Sequence, residues 1–199
     1  MTTSSRVELI RPTREHLPSL LSALDRGWVP ADSPAQRVRE RALSDPAALL
    51  AEAEDREGRL PPIQLPDRTL AARLPSITRW IWDGEFAGRI SLRWQRGTVE
   101  LPPTCLGHIG YVVVPWKRRQ GYATAALALM LQEARALNLP YVELTTDPDN
   151  VASQRVIEAN GGVLHERFAK LPMYGGTEGL RYRIALGATR PAPEPQRDG

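Results

Sequence analysis

From Gly107 to Thr124 the chain reads GHIGYVVVPWKRRQGYAT and then continues into the alanine- and leucine-rich residues 125–127. The β-branched run at its start is typical of a strand, the basic and glycine-containing part of a turn, and the continuation of a helix. Backbone N–H groups and the positive end of the helix dipole favour an anion at the start of a helix. The sequence therefore predicts a strand, an anion-binding loop and a helix in direct succession.

The loop has the spacing R-x-x-G-x-A, formed by Arg118, Gly121 and Ala123. Gly121 leaves the backbone accessible at a point where a side chain would keep a phosphate away, and the small Ala123 lets the helix come close. Arg118 and Arg119 add positive charge. The loop is not a P-loop, because no Gly-Lys-Ser/Thr follows, and it has only one of the three glycines of G-x-G-x-x-G.

A second segment, NVASQRVIEANGG, runs from Asn150 to Gly162 and follows the apolar residues 141–145. The strand, V-x-P, R-x-x-G-x-A and helix resemble motif A of the GNAT superfamily of acyl-CoA-dependent N-acyltransferases, and N-x-x-S-x-x-V-x-E-x-x-G resembles its motif B. The order of the two motifs, with one helix and one strand between them, makes the resemblance far more specific than either motif alone. It covers about residues 76–186 well and the first 75 residues weakly.

The bulk properties favour a single cytoplasmic domain. The chain has 199 residues, a net charge of +3 and one cysteine, Cys105, which excludes an internal disulfide and fits a reducing compartment. The N-terminus carries no signal-like apolar core, and no apolar run has the length of a membrane span. Acidic residues interrupt the arginines, which argues against nucleic acid as a partner.

Periodicity and turn residues predict the elements of one α/β domain over residues 1–186, with a disordered proline-rich tail over 187–199. The predicted strands are residues 7–11, 77–82, 86–94, 107–114, 141–145, 163–168 and 180–186. Helices are predicted after Thr13, from 35 to 56 with a break at Asp45 and Pro46, from 123 to 137, and after Asn150, while 60–75 is predicted to be irregular. The resemblance implies a mixed, mostly antiparallel sheet with helices on both faces, splayed between the fourth and fifth strands.

The resemblance also implies a binding site for acetyl-CoA, the acyl donor. Its pyrophosphate would lie on the loop and its pantetheine arm along the exposed edge of the fourth strand, where the Val113 N–H would polarise the thioester carbonyl. Asn150 and Ser153 match the positions that bind the arm, although Asn150 is equally well explained as a helix cap. The implied donor-binding residues are Tyr111, Val112, Val113, Arg118, Arg119, Gln120, Gly121, Tyr122, Ala123, Thr124, Asn150 and Ser153.

Catalysis departs from the usual family pattern at Ile157, which stands where a tyrosine commonly protonates the thiolate. Either another residue donates this proton, or the thiolate leaves unaided, or activity is lost. The tyrosines to consider as donors are Tyr111, Tyr122 and Tyr174. His108, upstream on the fourth strand, is the first candidate for the general base, and a histidine hydrogen-bonded within the sheet is an alternative at least as good. Glu100, Glu143 and Asp147 are weaker candidates, and no spacing of histidine and cysteine predicts a metal site.

Taken together, the sequence predicts an N-acetyltransferase that moves an acetyl group from acetyl-CoA to a primary amine by direct attack on the thioester. The acceptor would be a small-molecule amine or a peptide α-amine, because the motif B wording is also like that of enzymes that modify protein N-termini. A CoA-binding regulator without turnover is the alternative from another class. The resemblance further allows a homodimer, and neither a membrane nor a nucleic acid is expected as a partner.

Overall fold

A computed structural model describes residues 7–30 and 33–187 of the chain. The strands are β1 (Glu8–Ile10), β2 (Glu54–Asp55), β3 (Ile63–Gln64), β4 (Leu70–Ala71), β5 (Ser76–Trp82), β6 (Phe86–Arg93), β7 (Ile109–Val113), β8 (Tyr141–Thr146), β9 (Val163–Ala169) and β10 (Glu178–Ala185). The helices are α1 (Leu17–Asp25), α2 (Ala35–Ser44), α3 (Pro46–Ala51), α4 (Tyr122–Arg135) and α5 (Val151–Ala159). Short 3-10 turns occupy Arg14–His16, Pro115–Lys117 and Pro172–Tyr174.

The strands form two main sheets that separate between β7 and β8. One sheet has the order β1-β5-β6-β7, with β2 also paired to β5, and the other has the order β8-β10-β9. The pairs within both sheets are antiparallel. The predicted fold class, an α/β fold with a mostly antiparallel sheet that splays between the fourth and fifth long strands, is confirmed, since those strands are β7 and β8.

The larger core lies between the sheets and one helical layer formed by α4 and α5. The buried face of α4 carries apolar residues at helical spacing, and these pack on the inward side chains of β5, β6, β8 and β10. This face consists of Ala126, Leu127, Met130, Leu131 and Ala134. Ile157 is the fully buried residue of α5 and joins the same core.

A second core covers the opposite face of the first sheet, beneath α1 and α2. Leu17, Leu20 and Leu24 share one side of α1, as their spacing predicts, and they pack around aromatic side chains of the sheet. The rings of Trp80 and Phe86 meet edge to face with their centroids 5.0 Å apart. Helices therefore cover both faces of the sheet, as expected.

Two predicted segments differ from the structure. Asp45 does interrupt the second helical region, because its side chain accepts a hydrogen bond from the Ala48 N–H at 3.1 Å, but the helix ends at Ala51 and not at Arg56. Glu54 and Asp55 instead pair with β5 as strand β2. Residues 60–75 are mostly irregular, as predicted, apart from the small β3–β4 hairpin.

The predicted tail lies outside the described residues except for Gly187. No helix within the described ranges is long and apolar enough to cross a bilayer.

A buried ionic cluster fastens the edge of the first sheet to α4. Arg79 of β5 donates to both carboxylate oxygens of Glu133 on α4, at 2.9 and 3.0 Å, and to Glu54 of β2 at 2.7 Å. The Arg79 side chain is only 10% exposed. Burial acts against the charged form of Arg79, but the hydrogen bonds with the two glutamates outweigh it and raise its pKa. Arg79 is thus the buried cation that pairs with two carboxylates from different elements.

We expect Arg79→Met to lower the free energy of unfolding by about 3 kcal/mol, because it leaves Glu54 partly buried without its main cation. Arg56→Met is the matched control: Arg56 also contacts Glu54, but its side chain is 48% exposed. An exposed pair contributes about 1 kcal/mol or less. Urea unfolding at neutral pH measures the free energy of unfolding of both variants. Equal losses would show that Arg79 stabilises the fold no more than the exposed Arg56 does.

Candidate functional site

The gap between β7 and β8 is a cleft with a volume of about 290 Å³. Its walls come from β7, from β8, from the first turns of α5 and from both ends of the β9–β10 connection. Side chains on the walls include Tyr111, Thr146, Asn150, Ser153 and Lys170. The cleft thus combines a strand edge with polar groups from three other elements.

The edge of β7 that faces the cleft offers backbone groups. Val114 N–H donates to the Ala87 carbonyl of β6 at 2.9 Å. Because successive residues of a strand direct their backbone groups to opposite sides, the N–H groups of Val113 and Tyr111 point away from β6 and toward the cleft. The position of the Val113 carbonyl agrees, since it accepts a hydrogen bond from Arg118 Nε at 3.1 Å.

The loop after β7 leads into α4 through two left-handed residues, Arg119 with φ of 62° and Gly121 with φ of 84°. A Cβ on Gly121 would meet no atom of the described residues within 4 Å, so the space at this position is open among them. No side chain of the described residues caps α4 at Gly121. The first N–H groups of a helix have no acceptor within it, so this end of α4 can receive an anion.

A buried network holds this loop against the β5–β6 turn. Lys117 Nζ donates to both oxygens of Asp83 at 2.5 and 2.6 Å and lies 2.8 Å from Glu85, while the Tyr122 hydroxyl also donates to Asp83. Burial acts against ionisation of Asp83, but the bonds from Lys117 and Tyr122 prevail and lower its pKa. Asp83 therefore stays ionised near neutral pH and fixes two residues of the loop. The side chains of Lys117 and Tyr122 thus serve the shape of the loop.

The start of α5 forms the opposite wall of the cleft. Asn150 Oδ1 accepts a hydrogen bond from Ser153 N–H at 3.1 Å, so this side chain caps the helix and also lines the cleft. Ser153 Oγ is hydrogen-bonded to the Tyr111 hydroxyl at 2.8 Å. Burial raises the pKa of the Tyr111 phenol, although the bond with Ser153 acts in the other direction. Tyr111 therefore holds its proton at neutral pH, inside the cleft and against a second hydroxyl.

The other two tyrosines are directed elsewhere. The Tyr122 hydroxyl is bonded to Asp83, and the Tyr174 hydroxyl donates to the Thr104 carbonyl at 2.7 Å. Ile157, one turn beyond Ser153 on α5, is completely buried at the base of the cleft. Of the three candidate tyrosines, only Tyr111 lines the cleft between β7 and β8.

Sequence reasoning did not single out two polar features of the cleft. Lys170 Nζ lies 2.5 Å from Asp147 Oδ1 just after β8, and the buried hydroxyl of Thr146 has no hydrogen-bond partner among the described residues. The inward position of Thr146 follows from strand alternation, whereas no local pattern indicates that Lys170 reaches the cleft. In the parts of the chain that the structure describes, no three His, Cys, Asp or Glu side chains converge as a metal site would require.

His108 lies at the closed end of the cleft and is only 1% exposed. Its Nδ1 accepts a hydrogen bond from the Glu143 N–H at 3.0 Å, so Nε2 carries the proton that binds the Val99 carbonyl at 2.9 Å. Burial is the main cause that lowers the pKa of His108, against the bond to Val99 and the charge of Glu143. Because the lone pair needed for proton transfer is already used, the geometry does not support the general-base role and fits the alternative, a histidine bonded within the sheet.

We expect His108→Gln to lower the free energy of unfolding by about 1 to 3 kcal/mol, since buried backbone groups lose partners. The neutral folded imidazole has a lowered pKa, so its stabilisation is present above the unfolded value near 6.5 and is lost as the pH falls below it. Denaturant unfolding between pH 7 and 5 should therefore show a smaller pH dependence in the variant. If a folded variant lost the acidic limb of an acetyl-transfer pH profile, the base role would be restored.

Comparisons with known proteins agree with this architecture. No curated protein is similar enough in sequence to count as a relative. Among solved structures, Mycobacterium smegmatis RimJ in complex with CoA-disulfide is 19% identical with a TM-score of 0.58, and the match covers 90% of this chain and 81% of that one. RimL, a ribosomal L7/L12 alpha-N-protein acetyltransferase in complex with coenzyme A, is 17% identical with a TM-score of 0.57, and the match covers 92% of this chain and 95% of that one. The microcin C7 self-immunity acetyltransferase MccE in complex with acetyl-CoA and AMP is 14% identical with a TM-score of 0.58, and the match covers 92% of this chain and 93% of that one.

These likenesses concern the fold, because the identities are low. The sequence itself matches the family model for the acetyltransferase (GNAT) domain over residues 6–163, which is most of the chain. This match includes the loop at the start of α4 and most of the cleft between β7 and β8. The chain therefore belongs to the GNAT acetyltransferase family.

Proposed function

We propose that the protein is an N-acetyltransferase that transfers the acetyl group of acetyl-CoA to a primary amine. The observation that carries the proposal is the cleft beside β7, a strand whose N–H groups face inward and which leads directly into the N-terminus of α4, where no side chain of the described residues caps the helix. An anion bound at one end and an extended arm bound along the other are what coenzyme A requires. The neighbours RimL and MccE, which hold coenzyme A or acetyl-CoA, support the same donor.

The donor would contact two groups of residues. Its pyrophosphate would bind the loop that precedes α4 and its first turn, at Arg118, Arg119, Gln120, Gly121, Tyr122, Ala123 and Thr124. Its pantetheine arm would lie along the cleft, against Tyr111, Val112, Val113, Asn150 and Ser153. Asn150 can serve as helix cap and ligand together, because its Oδ1 caps α5 and its amide group is a separate donor.

Transfer would begin with attack of the amine nitrogen on the thioester carbonyl carbon. The Val113 N–H would donate to the carbonyl oxygen as negative charge develops there. Collapse of the tetrahedral species breaks the carbon–sulfur bond, and the thiolate takes a proton from Tyr111 through the Ser153 hydroxyl, 2.8 Å away. The amine nitrogen releases one proton to solvent, and the Tyr111 phenolate takes one proton back from solvent. The transfer therefore neither gains nor loses protons overall.

The amine would enter in its neutral form. Two of the carboxylates considered for the base are held by cations: Glu143 accepts from Arg183 at 2.9 Å, and Asp147 pairs with Lys170. Each of these carboxylates therefore already has a cation at one of its oxygens. The proposal therefore assigns no base to the side chains of the cleft.

A peptide α-amine is the rival acceptor to a small-molecule amine, and it is favoured by the ribosomal-protein acetyltransferase RimL among the neighbours. A CoA-binding regulator would need the same donor site without proton transfer. Ile157 motivates that alternative, since its side chain carries no proton to give. Tyr111 supports the enzyme, because it places a protonated hydroxyl in the cleft.

We expect Gly121→Val to weaken acetyl-CoA binding by about tenfold or more, because the new side chain occupies the space in front of the α4 N–H groups. Gly97→Val is the matched control, since Gly97 also has a left-handed φ, 75°, and open space at its Cβ position but lies in the β6–β7 connection. Calorimetric titration with acetyl-CoA measures both variants. An unchanged affinity for Gly121→Val, or absence of binding to the unaltered protein, would end the proposal.

Tyr111→Phe should lower kcat by about a hundredfold and leave the KM for acetyl-CoA nearly unchanged, because it removes the proton donor and keeps the ring. Tyr174→Phe is the control, since that hydroxyl is bonded to Thr104 outside the proposed proton path. Thiol release with a panel of primary amines gives both constants. If Tyr111→Phe turned over at the original rate, the proton-donor role would be wrong, whereas measurable turnover in the unaltered protein would exclude the regulator.

A further inference from the structure

Arg93 ends strand β6 on the face of the sheet opposite α4 and α5. Ile90 and Leu92 point into the large core, so the alternating residue Arg93 points to the other face. Its Nη2 lies 3.4 Å from the position that a Cβ on Gly110 of β7 would take. Gly110 is exposed and lines the cleft, so the guanidinium lies over the floor of the cleft on this second face.

The guanidinium of Arg93 has no carboxylate from the described residues within 4.0 Å and no hydrogen bond to them. Arg181 and Arg183, half-buried on the same face of the second sheet, are both paired with glutamates. Arg93 is also half-buried, so it has given up part of its hydration without receiving a counterion. A cation in this condition is a ready partner for an anion that enters the cleft.

The groups around Arg93 give it no bound counterion among the described residues. Its charge acts on both His108 and Tyr174, which lie beside it and carry no negative charge at neutral pH. Glu143, beyond His108, is already engaged by Arg183 at 2.9 Å and by the charge of Arg181. Asp67, whose charge also acts on Tyr174, makes no ion pair with Arg93, so no described carboxylate is bound to this guanidinium.

We propose that Arg93 binds an acidic group, a carboxylate or a phosphate, on the amine acceptor. The inference rests on the proposed function, in which the donor arm enters from the side of Asn150 and Ser153 and leaves the face of Arg93 to the acceptor. The planar guanidinium suits both anions, because its parallel N–H groups match two oxygens. The acceptor would then carry a carboxylate or a phosphate in addition to its primary amine.

The strand fixes how far the acidic group lies from the reacting amine. The thioester carbonyl would lie at Val113 and the guanidinium at Gly110, three residues apart along β7, or about 10 Å. Part of this distance is the hydrogen bond between the guanidinium and the anion, about 3 Å. An acceptor with several carbon atoms between nitrogen and anion fits, whereas an α-amino acid is too short.

The test compares 6-aminohexanoate, 6-aminohexyl phosphate and the neutral 6-aminohexanamide as ligands of the full chain. We expect at least one of the anionic ligands to bind about tenfold to a hundredfold more tightly than the amide, and the tighter anion identifies the acidic group. Arg93→Gln should abolish the preference and leave the affinity for the amide unchanged. Arg135→Gln, which alters an exposed arginine near the far end of α4, should keep the preference.

Equal affinity of the unaltered protein for the anions and the amide, or a preference that survives Arg93→Gln, would overturn the inference. Circular dichroism of Arg93→Gln confirms that the variant is folded, and Arg93→Lys, which keeps the charge, should retain part of the preference. Since the measurement uses no acetyl-CoA, its result is independent of acetyl transfer. Failure of acetyl-CoA to bind would instead count against the proposed function.

Discussion

The separation of β7 from β8 depends on one side chain that takes the place of a backbone group. His108 N–H donates to the Glu143 carbonyl at 2.8 Å, as in a sheet, but the returning bond from Glu143 N–H goes to the imidazole Nδ1 at 3.0 Å. The imidazole fills the position where a carbonyl of the neighbouring strand would be, so regular pairing stops there. Gly107 permits this approach, because a Cβ on it would lie 2.9 Å from the Glu143 carbonyl oxygen. The strands that continue from this point carry unpaired backbone groups into the cleft, and such groups need partners.

The loop that follows β7 is fixed by charge. Lys117 and Tyr122 meet at Asp83, which comes from the turn of the β5–β6 hairpin and so ties the loop to the first sheet. A buried carboxylate is costly unless it is fully hydrogen-bonded, and here it receives bonds from two side chains of the loop. The anion site proposed at α4 would therefore be preformed, because the loop before the helix is held by Asp83.

The sequence predicted what local patterns determine. The spacing of Leu17, Leu20 and Leu24 and the capping residues Asp45 and Asn150 depend on neighbours a few residues away, and each was recognisable. Strand β2 was missed because two residues have no periodicity, and their pairing is decided by β5 and by the Arg79 cluster. The contact between Tyr111 and Ser153 joins residues 42 positions apart, and the absence of a counterion for Arg93 among the described residues is a property of the folded surface. His108 lies just before β7 and not on the strand as predicted, and only the folded structure shows that both of its ring nitrogens are engaged.

The place of Ile157 bears on whether a proton donor is missing. Ser153 and Ile157 lie four residues apart on α5 and so share one face of that helix, with Ile157 the deeper of the two. Ile157 is packed so closely that a Cβ on Gly162 would come within 2.3 Å of its Cγ2, which identifies it as a core residue. A larger side chain there would have to displace the turn that ends α5. The hydroxyl of Tyr111 reaches Ser153 from the opposite wall, so a phenol can be present in the cleft although position 157 supplies none. Under the proposed function Tyr111 would donate the proton that Ile157 cannot, so the isoleucine by itself does not argue against an enzyme.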